Sequence, residues 1–137
     1  MILITGACAQ GKTSFAKNTL KKENMVSCKD IPDTFLHDLS LPEGCGCLDD
    51  YEVLVRRLME QDISPTDFTH TLCGKYPHLC IILAEIGAGV IPMERTEREY
   101  RANAGRCGCI IAEASERVYR LMCGIPQMIK GGGDRPY

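Results

Sequence analysis

Met1-Ile2-Leu3-Ile4-Thr5-Gly6-Ala7-Cys8-Ala9-Gln10-Gly11-Lys12-Thr13 opens the chain, and its reading decides the fold. Met1 to Thr5 form an apolar run of the length expected for a buried parallel strand. The run leads directly into a full match to the phosphate-loop pattern G-x-x-x-x-G-K-[ST] over Gly6, Ala7, Cys8, Ala9, Gln10, Gly11, Lys12 and Thr13. Ser14 to Lys22 then read as helix, with Phe15, Ala16, Thr19 and Leu20 placed to face a sheet. Strand, glycine-rich loop and helix stand in the order a phosphate cradle needs. Glycine lets the backbone turn tightly, so that successive N–H groups converge on phosphate oxygens. The following helix adds a favourable dipole. In such a cradle Lys12 reaches the β and γ phosphates and the Thr13 hydroxyl ligates Mg²⁺. A glycine-rich turn before a surface helix is the structural alternative, and the flanking strand and helix argue against it. The implied ligands are ATP or GTP with Mg²⁺. The motif does not name the reaction.

Outward from that stretch the chain alternates strand and helix. Met25 to Cys28 reads as a short strand. Residues 30–47, punctuated by Pro32, Pro42, Gly44 and Gly46, read mostly as loop. A helix is expected from Tyr51 to Gln61, with Val53, Leu54, Leu58 and Met59 on its core side. Ser64 and Pro65 cap and open another. Leu79 to Glu85 is the clearest buried strand after the first. A long helix is expected from Met93 to Ala114, and a last strand from Arg117 to Cys123. The pattern predicts an α/β fold: a mostly parallel sheet covered by helices on both faces, in three layers. Residues 1–130 read as one nucleotide-binding domain and 131–137, with three glycines in a row, as a flexible tail.

Composition agrees with a globular domain. The 137 residues are 45% hydrophobic and 25% charged, with a net charge of −2, so no basic field attracts nucleic acid or an anionic membrane. No apolar run is long enough for a membrane span. The N-terminus carries neither a charged region nor a cleavage site for secretion, which points to the cytoplasm. The nine cysteines then read as reduced thiols. Cys45-Gly46-Cys47 and Cys107-Gly108-Cys109, with Cys73 and Cys80, would suit a soft metal. Their spacing is not that of common zinc sites, and buried thiols acting as small hydrophobes are the simpler reading.

Acids at strand ends are the candidate metal partners, because ligands of open α/β sheets gather at the carboxyl ends of the strands. Glu85 ends the best strand. Asp49 and Asp50 follow Cys47-Leu48, a weaker one. Capping of the Tyr51 helix is the alternative for either aspartate, and a buried structural carboxylate is the alternative for Glu85. Further on, Arg95, Arg98, Arg101 and Arg106 alternate with Glu94, Glu97 and Glu99. The Glu94–Arg98 and Glu97–Arg101 spacings suit i,i+4 pairs on a solvated face.

These residues carry a resemblance. The sequence is similar to the adenosylcobinamide kinase/adenosylcobinamide-phosphate guanylyltransferase family of cobalamin biosynthesis. The opening Ile2 to Gly6 with its loop fits. So do Leu48-Asp49 with the helix to Met59, and above all Glu85-Ile86-Gly87-Ala88-Gly89-Val90-Ile91-Pro92, which resembles an E-V-G-x-G-I-V-P segment. Arg95, Arg98, Tyr100-Arg101, Ala104-Gly105-Arg106, Val118-Tyr119 and Gly124-Ile125-Pro126 follow at family-like spacing. The resemblance implies a RecA-like phosphate-loop fold, ATP- or GTP-dependent phosphorylation of a corrinoid side-chain hydroxyl, and a homo-oligomer. It casts Lys12, Asp49 and Glu85 as catalytic, with Thr13 and Asp49 on the metal.

The resemblance also implies a histidine that accepts GMP from GTP, in an Arg- and His-containing segment after the second strand. Here the chain is shorter than is usual for the family. Residues 30–55 hold Asp30, Asp33, Asp38, Glu43, Asp49, Asp50 and Glu52 but no Lys or Arg. A histidine attacking an α-phosphate needs nearby cations. His37 is the one histidine in that segment and no convincing acceptor, so guanylyl transfer is expected to be lost. Gly108-Cys109 also replaces an Asn-Gln usual after the matching Gly-Arg. Two further readings stay open: a non-catalytic nucleotide-binding regulatory or assembly protein, and a cysteine-based metal or redox protein.

Overall fold

The computed structural model describes residues 1–86 and 94–131. One six-stranded sheet organises the chain, built from β1 (Ile2–Gly6), β2 (Met25–Ser27), β3 (Cys47–Asp49), β4 (Cys80–Ala84), β5 (Arg117–Met122) and β6 (Ile125–Lys130). The strands lie in the order β2-β3-β4-β1-β5-β6. All neighbours are parallel except the β5–β6 hairpin. The fold is therefore the expected mostly parallel α/β sheet of a phosphate-loop protein. β1 sits between β4 and β5, and β4 separates it from β3.

Alternation along each strand divides the core in two. Leu3, Leu48, Ile81, Leu83 and Val118 face one side. There they meet four helices: α2 (Asp33–Asp38), α3 (Tyr51–Glu60), α4 (Pro65–Lys75) and α5 (Arg95–Ala114). Ile2, Ile4, Cys47, Cys80, Ile82, Tyr119 and Leu121 face the other side, where α1 is the one helix among the described residues. Both faces are covered, but unequally. Helix α1 opens at Lys12–Ser14 and continues as a π-helical turn over Phe15–Thr19. It buries Phe15 and Ala16, with Phe15 edge-on to Tyr119 at 5.0 Å.

Several expectations need correcting. α1 starts at Lys12, inside the loop motif, and stops at Thr19, which is exposed and does not face the sheet. The stretch 30–47 is mostly loop, as expected, but it carries one short helix that the sequence reading does not place. Phe35 and Leu36 have apolar partners under the sheet, and burying them stabilises the short helix α2 directly after Pro32. In α3, Val55 is buried in place of Val53 beside Tyr51, Leu54 and Leu58. The sequence pattern does not predict strand β6, because Gly124 and Pro126 look like punctuation. Cys123 and Gly124 both have positive φ (51° and 75°), the backbone of a two-residue hairpin turn that reverses β5 into β6. Pro126 is tolerated because β6 is an edge strand. Of the long-helix expectation, Met93 lies outside the described residues and the helix runs from Arg95. Of the tail 131–137, Gly131 alone is described.

Helix ends follow local chemistry. Ser64 Oγ accepts the Asp67 N–H at 3.3 Å and Pro65 takes the first helical position. Deep in the larger core the fully buried Tyr51 hydroxyl lies 2.8 Å from Thr69 Oγ1, which donates to Cys107 Sγ at 3.3 Å. With the Thr69 proton engaged by sulfur, the phenol is the donor to Thr69. Tyr51→Phe removes that donor and should cost about 1–2 kcal/mol of unfolding free energy in a urea titration. An unchanged midpoint would show that the chain carries no net stabilisation.

Candidate functional site

The site is built where β1 ends. Gly6, with φ 141°, packs so closely on β5 that a Cβ there would meet the Leu121 carbonyl oxygen at 2.5 Å. Gly11 enters the helix with φ 92°, and Ala9 is held at φ 59°. A non-glycine residue at that φ costs about 1–2 kcal/mol, so the loop is shaped against local preference. What holds it is the β5–β6 turn. Gln10 Oε1 accepts the Cys123 N–H at 2.5 Å, and the Gln10 carbonyl accepts the Gly124 N–H at 3.1 Å. Lys12 is buried, and its ammonium donates to the Ala7 carbonyl at 2.6 Å, folded back across the cradle.

Thr13 points the other way. Its hydroxyl donates to Asp49 Oδ2 at 2.8 Å, joining the helix start to the end of β3 across the top of β4. Asp49 Oδ1 accepts the next residue's N–H at 2.7 Å. A hydroxyl and a carboxylate at this separation form an oxygen donor set suited to Mg²⁺. Asp50 does not join them. It occupies the N-cap position of α3 in the left-handed conformation, makes no side-chain cap, and accepts from Ser27 Oγ at 2.7 Å. Capping by the Asp50 side chain is thus not what the structure contains.

Glu85 follows β4, and its N–H donates to the carbonyl of Gly6, the first loop residue, at 2.9 Å. Its carboxylate is gripped by Arg120 of β5 in a two-pronged pair of 2.8 and 3.1 Å. Arg120 stands opposite Thr5 in the β1–β5 register, so the pair spans β1 one residue before the loop. The carboxylate raises the Arg120 pKa further. Sequence reasoning missed Arg120. Its signal was a cation alternating in step with buried Val118 on a strand beside β1.

A family-level comparison matches residues 33–129 to cobinamide kinase / cobinamide phosphate guanyltransferase. The chain belongs to this family. Curated proteins provide no match. The matched region holds Asp49, Glu85 and Arg120, while the phosphate loop lies ahead of it. Membership therefore rests on the part of the chain that supplies the acids, and the cradle is read independently from its own motif and geometry. The family name covers two reactions, kinase and guanyltransferase, and the chain is a nucleotide-binding phosphate-loop protein of that kind. The segment resembling E-V-G-x-G-I-V-P falls, beyond Ile86, outside the described residues.

Other candidates are dispersed. His37 is exposed on α2 and lies 3.0 Å from Gln61 Oε1, at the C-terminal end of α3. That is the end of α3 away from Asp49, about 15 Å along the axis at 1.5 Å per residue. His70 and His78 are also exposed. Glu97 takes a two-pronged grip on Arg56 of α3 at 2.9 and 3.2 Å, and Arg95 pairs with Glu99 at 2.9 Å. Arg56 also stacks 3.9 Å over the Tyr100 ring, and holds the Glu97 carboxyl below its usual range. Cys107 is buried while Cys109 is exposed. Cys47 and Cys80 are register partners on the α1 face, whereas Cys73 packs against the other core. All nine cysteines are free, and no group of three metal-ligating side chains occurs among the described residues. No helix among them is long and apolar enough to cross a membrane.

Glu52 is the acid that sequence reasoning overlooked. It sits in the first turn of α3, where an acid reads as simple dipole complement. In the structure its Oε2 is buried without a hydrogen-bond partner, and burial raises its pKa above the ordinary value. Strand β3 pairs with β4 only as far as Leu48–Ile81, and the Glu52 carboxylate meets the backbone of Ala84 beyond that point. A raised folded-state pKa means the folded chain keeps a proton that the unfolded chain has lost. Stability from this group therefore falls as pH rises from about 4 through the folded pKa, then levels. Glu52→Gln should match wild type near pH 4 and exceed it in unfolding free energy at neutral pH. A stability difference independent of pH would contradict the assignment.

Proposed function

We propose that the chain is a nucleoside-triphosphate-dependent kinase acting on a corrinoid side-chain hydroxyl, without the guanylyl-transfer half of the family's chemistry. The single observation that carries this reading is the constellation of Lys12, Thr13 and Asp49 around one loop. With nucleotide bound, Lys12 exchanges the Ala7 carbonyl for the β and γ phosphate oxygens. The N–H groups of residues 6–13 surround the phosphates. Thr13 and Asp49 would hold a Mg²⁺ ion, which would supply charge neutralisation to the phosphates. Catalysis here is positioning and charge stabilisation, since phosphoryl transfer asks for little covalent help from the protein. Glu85, tied to the loop by its own N–H, receives the acceptor hydroxyl.

Loss of guanylyl transfer is supported by His37, which has an amide partner and no cation within its own stretch 30–55. We take residues 1–130 as one working unit, cytoplasmic, and, as the resemblance implies, homo-oligomeric; light scattering tests the last point. A nucleotide-binding regulatory or assembly protein is the second reading. It is favoured by the Glu85–Arg120 pair, in which the proposed hydroxyl acceptor is already neutralised. Incubation with ATP or GTP, Mg²⁺ and adenosylcobinamide separates the two. The kinase reading expects phosphorylated product that falls by at least a hundredfold in Lys12→Ala, and no acid-labile GMP on the protein. Tight nucleotide binding without product supports the second reading, and GMP lost in His37→Ala would restore the guanylyl half.

A further inference from the structure

Two cysteines stand side by side within the sheet. Cys47 opens β3 and Cys80 opens β4, and the two are register partners on adjacent parallel strands. Register partners project to the same face, here the α1 face, where both side chains are fully buried in the cluster that holds Ile2, Ile4 and Ile82. Hydrogen-bonded strands run about 4.7–4.9 Å apart, and disulfides bridge Cα atoms about 4.4–6.8 Å apart. The backbone at this rung therefore already suits a cross-link. No other two cysteines are register partners among the described residues. The two thiols also interact, with the Cys47 S–H donating to the Cys80 sulfur. That bond, helped by the charges of Lys22 and Arg117, holds the Cys80 thiol below its ordinary pKa despite burial. A thiol so placed supplies the nucleophilic thiolate more readily.

We propose that Cys47 and Cys80 are an oxidation site, which hydrogen peroxide converts to a disulfide, and that this cross-link weakens the metal side of the nucleotide site. The Cys80 sulfur attacks one peroxide oxygen, the O–O bond breaks, and water leaves behind a sulfenic acid. The Cys47 sulfur then attacks the Cys80 sulfur. The S–S bond forms, and the sulfenic hydroxyl leaves with the Cys47 proton as a second water. Two electrons pass from the sulfurs to the peroxide. Hydrogen peroxide is uncharged and near water in size, so it reaches buried sulfur where bulky oxidants do not. The seam itself is short, since β3 meets β4 only at Cys47–Cys80 and Leu48–Ile81, and a short seam opens locally at low cost. Disulfide Cβ atoms lie about 3.8 Å apart, closer than the strand spacing, so closing the bond draws β3 towards β4. Asp49 is two residues further along β3, and its carboxylate reaches Thr13 across the top of β4 at 2.8 Å. A displacement of about 1 Å misplaces such a pair. The effect on nucleotide rests on the metal role of Thr13 and Asp49; the cross-link does not.

Peptide mapping of the folded wild-type protein tests the proposal without any variant. The protein is treated with hydrogen peroxide, blocked with N-ethylmaleimide in denaturant, digested without reduction and analysed by mass spectrometry. The expected product is a Cys47–Cys80 linked peptide pair, two hydrogens lighter than the reduced peptides together and lost on treatment with dithiothreitol. Unlinked Cys47 and Cys80, under conditions that oxidise the exposed Cys8, Cys109 and Cys123, overturn the site. Calorimetry with ATP then reads the consequence. The tightening of ATP binding by Mg²⁺ should fall at least about fivefold in the oxidised protein and return on reduction. Peroxide-treated Cys80→Ala, which cannot form the bond, should keep the Mg²⁺ effect of its own untreated form. An equal loss in that variant assigns the effect to another thiol and overturns the link to the nucleotide site. Reduced wild type that shows no Mg²⁺ effect overturns the metal role of Thr13 and Asp49 instead, a failure that the peptide map keeps distinct.

Discussion

The hydrogen bond from Thr13 to Asp49 is the constraint on which the site depends. It joins two strands that are not neighbours, because β4 lies between the loop strand and the acid strand. The two groups meet only if β3 ends at Asp49 and α1 begins inside the loop motif. Both conditions hold. The left-handed turn at Asp50 stops β3 and starts α3, while Ser27 of β2 pins the Asp50 side chain. On the other flank, the hairpin turn fixes Gln10 and so the arch of the loop. The arch of the loop and the Thr13–Asp49 pair are thus set by strand order and by two tight turns.

Charge is arranged around the loop in pairs already satisfied. Lys12 is held by a carbonyl, Asp49 by Thr13, and Glu85 by Arg120. On the proposed reading, a nucleotide entering the cradle would replace the partners of Lys12 and of the Thr13–Asp49 pair with phosphate oxygens and a metal. Binding is then an exchange of hydrogen bonds, whose net gain is smaller than the gross strength of the new contacts. Glu52 differs, because its buried oxygen has no partner to exchange and it keeps its proton above the ordinary pKa. The nearby Asp50 and Asp49 charges push its pKa in the same direction as burial does.

Much of this was legible in the sequence. Met1 to Thr13 carried strand, loop and helix start in one reading, since each is a local feature with its own residue signature. The acids at 49 and 85 were legible because strand ends are marked by a change from apolar to polar residues. What escaped depends on distant partners. Arg120 gains its meaning from Glu85, thirty-five residues away. Glu52 gains its meaning from β3 stopping short of β4. The strand β6 hid behind Gly124 and Pro126, which mark turns and edges equally well. The helix at Asp33–Asp38 formed because Phe35 and Leu36 had a core to enter, a tertiary fact that no short window displays.

The most direct measurement is the Mg²⁺ dependence of nucleotide affinity in wild type and in Asp49→Asn. If Thr13 and Asp49 form the metal side of the site, Mg²⁺ should tighten ATP or GTP binding to wild type by tenfold or more. Asp49→Asn should lose most of that gain while keeping its metal-free affinity. Equal Mg²⁺ enhancement in both proteins would contradict the placement of the metal, and with it the arrangement of the whole site.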